Sequence, residues 1–214
     1  MRRHVDYSLY LVTDRSLARG RPLPQLVRAA VAGGVTVVQL REKAARTRDF
    51  LALALELKAL LDPLGVPLII NDRLDVALAA GAFGVHVGQD DLPCEIARRL
   101  VGDAMALGVS VSTPAEAREA EAAGADYLGV SPVFPTPTKD DAPAATGLDG
   151  LAAIRAASVL PLVAIGGLSA TNAAEVVAAG ADGVAVVSAI MAADDPQTAA
   201  HALRAAIERG RAPR

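Results

Sequence analysis

Cysteine, lysine and aromatic residues are all scarce in this chain of 214 residues. Cys94 is the single cysteine, so no intrachain disulfide can form and a reducing compartment is expected. Aromatics make up only 3% and tryptophan is absent, which removes the stacking platforms that single-strand nucleic-acid binders use. Neither sign of charge is in excess. The formal net charge is −3 and the basic residues are scattered, so no electrostatic footprint for nucleic acid exists. His4, His86 and His201 are far apart and lack ligand spacing, which argues against a zinc site. Long apolar runs are missing too. The run that follows the first six residues is about seven residues long and stops at Asp14, too short for a secretory signal. The most membrane-like window, 176–193, is broken by Gly180, Asp182 and Gly183. A soluble, cytoplasmic protein with no membrane partner is expected.

Apolar residues are abundant: 52% of the chain is hydrophobic and 21% charged, with a mean hydropathy of +0.35, which excludes a disordered chain. At this length roughly 70% of the unfolded surface can be buried, so a core forms without a disulfide or structural metal. The lysines are Lys43, Lys58 and Lys139 and the asparagines Asn71 and Asn172. Against the chain's drift toward Arg and Ala, such a residue in a loop points to a specific need.

Eight apolar runs of strand length, at 9–13, 35–40, 68–71, 84–87, 106–111, 127–130, 162–165 and 184–187, alternate with amphipathic stretches. The runs are almost continuous in Val, Ile, Leu and Ala, as parallel strands buried on both faces are. Helices are predicted over 23–32, 47–61, 73–80, 93–100, 114–123, 148–157, 171–179 and 196–209. Ala32-Gly33, Ala80-Gly81, Ala123-Gly124 and Ala179-Gly180 recur 43 to 56 residues apart, each expected to close a helix on a left-handed glycine. One repeat is then two βα units, and four of them predict an α/β fold, a (β/α)8 TIM barrel, in a single domain over 1–214. An open doubly wound sheet is disfavoured because no Gly-rich fingerprint follows the first strand. The one long irregular segment, 131–147, is expected to be a functional loop.

In such a barrel the working face lies at the C-terminal strand ends, and polar residues collect there. Gln39, Arg41 and Lys43 are two apart, so in extended backbone all three point the same way. Two cations and an amide facing a barrel mouth suit a multiply charged anion such as a diphosphate. Asp72 and either Asp90 or Asp91 follow neighbouring strands, about 4.8 Å apart, and can approach one Mg²⁺. They can equally cap the following helices. Gly166-Gly167 and Val187-Ser188 follow the seventh and eighth strands, where backbone amides form the common phosphate site of these barrels. His86 alternates with Val85 and Val87 and is read as an inward, hydrogen-bonded core residue. Two anion sites across one mouth suggest transfer of a group off diphosphate.

The segments 39–43 (QLREK), 70–72 (IND), 88–91 (GQDD), 108–110 (GVS), 136–139 (TPTK) and 165–167 (IGG), in order on the right strands, resemble the thiamine phosphate synthase family over nearly the whole chain. The resemblance implies a transferase that condenses an aminopyrimidine diphosphate with a thiazole phosphate, with Mg²⁺ as cofactor and these small molecules as its partners. It implies that Gln39, Leu40, Arg41, Glu42, Lys43, Asn71, Ser110 and Lys139 meet the pyrimidine diphosphate. Of these, Arg41, Lys43, Ser110 and Lys139 would take part in catalysis. Thr136, Pro137, Thr138, Gly167, Val187 and Ser188 would hold the thiazole phosphate. Asp72 and Asp91 would bind the metal, which favours Asp91 over Asp90. Two departures stand out: Ser131 where the family often has Gly, and Ser112 where some members carry His. A related barrel, the thiazole tautomerase, uses that His and lacks the acidic pair. It and a non-catalytic barrel that binds thiamine phosphates are the alternative readings.

Overall fold

In the computed structural model, which describes residues 5–136 and 144–211, the apolar runs form eight short strands. They are β1 (Leu9–Val12), β2 (Val37–Leu40), β3 (Leu68–Asn71), β4 (Gly84–Val87), β5 (Ala106–Val111), β6 (Tyr127–Val130), β7 (Leu162–Ile165) and β8 (Gly183–Val186). Each pairs in parallel with the next, and β8 pairs with β1, closing the barrel. The helices are α1 (Leu23–Ala32), α2 (Thr47–Leu61), α3 (Leu74–Ala80), α4 (Cys94–Val101), α5 (Pro114–Ala122), α6 (Gly147–Ala157), α7 (Ala173–Ala178), the short α8 (Ser188–Met191) and α9 (Pro196–Arg211). Among the described residues no helix is long and apolar enough to cross a membrane.

Strand pleating divides the apolar residues into two clusters. Leu9, Leu11, Val38, Leu40 and Ile70 point outward and pack against Phe50, Leu57 and Leu61 of α2 and Leu203 of α9. Tyr10, Val12, Val37, Ile69, Tyr127, Val163 and Ala185 point inward and fill the barrel. All three tyrosines of this aromatic-poor chain lie in that interior.

Helix ends explain one difference from expectation. Gly81, Gly124 and Gly180 have positive φ as expected, but Gly33 is right-handed at φ −83° and the left-handed residue is Gly34 at φ +109°. Gly33 is required for space instead, since a Cβ there would lie 2.3 Å from the Gln197 carbonyl oxygen of α9. At α5, Thr113 accepts from the Glu116 N–H at 3.2 Å and Pro114 occupies the first turn, the expected start signal. Glu116 in turn accepts from both the backbone N–H and the hydroxyl of Ser112, holding that side chain at the helix start.

Candidate active site

The C-terminal strand ends surround a cavity of about 480 Å³. On the β2 side, Gln39, Arg41 and Lys43 line it, as the two-residue period requires. The same period turns Leu40 and Glu42 away. Leu40 is fully buried in the outer core, and Glu42 accepts from Arg15, whose Nη2 lies 3.0 Å from Oε1. Neither side chain lines the cavity, so a contact of Leu40 or Glu42 with the pyrimidine diphosphate would fall to the backbone. Arg41 is aimed by the β1 end: its N–H donates to Thr13 Oγ1 at 3.1 Å and its Nη1 to Asp14 Oδ2 at 3.1 Å. Lys43 Nζ donates to Asp72 Oδ2 at 3.0 Å.

Asn71, Asp72 and Asp91 line the β3–β4 side, and Asp90 does not. Asp72 adopts a left-handed backbone at φ +61°, tolerated by Asp better than by most residues, and its N–H donates to the His86 carbonyl at 2.8 Å. Asp91 Oδ2 accepts from the Gly88 N–H at 2.7 Å. Neither α3 nor α4 has a side-chain cap, so the capping alternative for these carboxylates is not what the fold uses. Burial pushes the Asp91 carboxyl above the usual range, and the Asp72 carboxylate adds to that, against the opposing Gly88 N–H and Lys43. Among the described residues no three His, Cys, Asp or Glu side chains converge as a metal cage. Two hard oxygen donors with mutually repelling charge fit a cation that keeps water and phosphate oxygens as its other ligands.

Across the mouth, Gly166 and Gly167 turn away from β7 at φ +104° and +65°, in the positive-φ region natural to glycine. The segment after β6 lies against this turn: Val133 and Phe134 donate to the Ile165 and Gly166 carbonyls at 2.9 and 3.1 Å. A Cβ on Gly166 would meet Pro132 Cβ at 2.6 Å. Asn172 braces the turn, donating to the Gly167 carbonyl at 2.9 Å and accepting from the Ser169 N–H at 2.8 Å. Val187 and Ser188 line the cavity where α8 begins, and the first-turn N–H groups of a helix have no intrahelical acceptor. Arg21 anchors the other end of α8 by donating to the Met191 and Ala193 carbonyls, both at 2.7 Å. Thr136 lines the cavity, while Pro137, Thr138 and Lys139 lie outside the described residues.

The floor holds residues that sequence reasoning did not place in the site. Gln39 Nε2 donates to Tyr10 Oη at 2.9 Å, and Tyr10 Oη lies 2.9 Å from Tyr127 Oη. Tyr127 Oη lies 3.0 Å from His86 Nδ1, whose Nε2 is 2.9 Å from Ser110 Oγ. Burial lowers the His86 pKa to about 4 against the pull of Asp91, and burial raises both tyrosine pKa values. His86 is the hydrogen-bonded core residue expected, yet it also lines the cavity. Register explains the meeting: His86 pairs with Gly108 and Ser110 with Gly129 across β4, β5 and β6. A Cβ on Gly108 would lie 2.2 Å from Tyr127 Cζ and 2.4 Å from His86 Nδ1, so this glycine makes room for the rings. Gly108→Ala is accordingly expected to destabilise the fold by about 3 kcal/mol through overpacking, a fall in Tm of roughly 6–12 °C for a chain of this size. A thermal melt within 2 °C of wild type, at the margin of roughly 1 kcal/mol, would show that the floor yields.

Comparison with known proteins identifies the family and agrees with the fold. The family profile described as thiamine monophosphate synthase matches residues 9–190. The chain is 58% identical over 204 residues to the thiamine-phosphate synthase of Syntrophomonas wolfei, covering 95% of this chain and 98% of that one. It is also 58% identical over 203 residues to the thiamine-phosphate synthase of Chloroflexus aurantiacus, covering 95% and 94%. Among solved structures, the thiamine phosphate pyrophosphorylase from Pyrococcus furiosus superposes with a TM-score of 0.88 at 40% identity, covering 96% of this chain and 97% of that one. A 3-hexulose-6-phosphate synthase, at 20% identity and a TM-score of 0.71, shares the fold. With its profile match spanning all eight strands, the chain belongs to the thiamine monophosphate synthase family.

Proposed function

We propose that the protein joins an aminopyrimidine methyl diphosphate to a thiazole ethyl phosphate, releasing diphosphate and thiamine phosphate. The observation that carries this is one cavity with two chemically distinct walls. Arg41, Lys43, Asp72 and Asp91 suit a diphosphate and its counter-ion, and the Gly167 turn with the start of α8 suits a monophosphate. The methylene C–O bond breaks with both electrons leaving on the diphosphate. The thiazole nitrogen then donates its lone pair to the methylene carbon, and a carboxylated thiazole also loses CO₂. The chain's residues need do little proton chemistry. Arg41, Lys43 and Lys139 stabilise charge on the departing diphosphate, and the cavity walls hold the nucleophile in line with the carbon. Asp72 and Asp91 would hold Mg²⁺, which neutralises diphosphate charge when bound. Gln39, Asn71 and Ser110 hold the pyrimidine, and Thr136, Val187 and Ser188 the thiazole phosphate. A cytoplasmic setting belongs to the same reading.

The isomerase alternative is not favoured. It needs an imidazole at position 112, and here the Ser112 hydroxyl is engaged by Glu116.

The division of the mouth is tested by calorimetry on Ser188→Asp. Like-charge repulsion is expected to weaken thiazole phosphate binding at least about tenfold, the equivalent of 1.4 kcal/mol. Pyrimidine diphosphate binding should stay within about twofold. Equal losses for the two ligands would show that the walls are not separate sites.

A further inference from the structure

We propose that the chain Gln39–Tyr10–Tyr127–His86–Ser110 is a directional hydrogen-bond relay that fixes which side of the pocket floor accepts and which donates. Tyr10, Tyr127 and His86 are then positioning residues that select an aminopyrimidine over its oxo counterpart. The selectivity rests on the pyrimidine reading above; the relay does not.

The four links measure 2.9, 2.9, 3.0 and 2.9 Å, and each needs one hydrogen. Tyr10, Tyr127 and Ser110 each carry one hydroxyl hydrogen, and a buried imidazole facing two uncharged hydroxyls carries one N–H. With Gln39 Nε2 donating to Tyr10, the Tyr10 hydrogen has only Tyr127 to go to. Tyr127 must then donate to His86 Nδ1, and His86 must donate from Nε2 to Ser110 Oγ. The Ser110 hydrogen is left for the cavity, and so is the Gln39 Oε1 acceptor. Turning the Gln39 amide over reverses every link together. Any mixed arrangement either puts two hydrogens in one link or leaves one link without a hydrogen, and the buried floor penalises both. The relay therefore has two states, and the donor and acceptor at its far ends change together.

In the orientation observed, the β2 side accepts and the β5 side donates. An aminopyrimidine fits, offering amino hydrogens on one side and a ring-nitrogen lone pair on the other. An oxo-pyrimidine with a protonated ring nitrogen presents the opposite pattern and would require the whole relay to reverse. The barrel reserves space for this device: Cβ atoms on Gly108 and Gly129 would fall 2.4 Å and 2.9 Å from the His86 ring. An aromatic-poor chain also places its tyrosines there.

The test reads the His86 tautomer in ¹⁵N-histidine-labelled, ligand-free protein, where the peak is assigned by its loss in His86→Gln. The wild type is expected to carry hydrogen on Nε2. In Gln39→Glu the carboxylate can only accept, so the relay reverses and the hydrogen moves to Nδ1. Adding Tyr127→Phe should abolish that switch. Tyr10→Phe, which cuts the relay without a new charge, should leave a mixture of tautomers. The same single tautomer in wild type, Gln39→Glu and Tyr10→Phe overturns the relay. Calorimetry provides the second arm. Tyr127→Phe should reduce the preference for the aminopyrimidine diphosphate over its oxo counterpart roughly tenfold, about the weight of one net hydrogen bond. A tautomer switch in a protein that binds neither pyrimidine would keep the relay and overturn the pyrimidine reading. An unswitched tautomer with normal pyrimidine binding would do the reverse.

Discussion

Turnover is expected to fall to background when divalent metal is chelated and to return when Mg²⁺ is restored. Asp91→Asn should lower kcat/KM by roughly 10³-fold, about 4 kcal/mol of lost charge stabilisation. Asp90→Asn, one residue away and outside the cavity wall, should stay within about twofold of wild type, a difference under roughly 0.5 kcal/mol. Stability should move the other way. The Asp91 carboxyl is raised by burial and by Asp72, so its ionised form opposes folding in the absence of metal. A folded-state pKa above the unfolded one means that stability is present at low pH and is lost as pH rises through the folded value. Metal-free Asp91→Asn should therefore melt no lower than wild type at pH 7. Its advantage should vanish as pH falls below the ordinary carboxylate range, near pH 4. Full activity in chelator would remove the metal from the account, and a much less stable Asp91→Asn would give this residue a structural role.

Lys139→Ala is expected to lower kcat by roughly 10²-fold, the scale of losing one preorganised charge contact to a leaving group. The change in KM should be smaller, since the interaction strengthens as diphosphate departs. The expectation rests on the 136–139 segment, TPTK, and on Lys139 being the one lysine between β6 and α6. Lys139→Arg should recover part of the rate by restoring the charge. An alanine variant within twofold of wild type in kcat, under roughly 0.5 kcal/mol, would remove Lys139 from the catalytic account.

The barrel was readable because each strand run is apolar on both faces and each helix amphipathic, so the alternation of the two patterns survives without an alignment. Strand ends moved by no more than two residues, as at β2, which begins at Val37 where the apolar run starts at Val35. The period of two placed Gln39, Arg41 and Lys43 inward for a stated reason. The same period turns the Leu40 and Glu42 side chains away from the cavity, although both belong to the same contiguous motif. The α8 turn was not legible because four residues do not establish a helical period. Asp14 and Arg21, which steady Arg41 and α8, act across long sequence separations that no local pattern reveals. His86 shows where the reading ran out. Its inward direction followed from alternation, but its partners Tyr127 and Ser110 depend on the register of β4, β5 and β6. The rarity of asparagine was a usable signal, since Asn71 lines the cavity and Asn172 braces the β7 turn.

The central claim is a bond-forming transfer. Purified protein should be incubated with the aminopyrimidine diphosphate, the thiazole phosphate and Mg²⁺, and the products followed by mass spectrometry and ³¹P NMR. Thiamine phosphate and diphosphate appearing in equal amounts is the result predicted, with neither formed when one substrate is withheld. Diphosphate released with only the pyrimidine alcohol as co-product, or isomerisation of a thiazole carboxylate without pyrimidine, would contradict it.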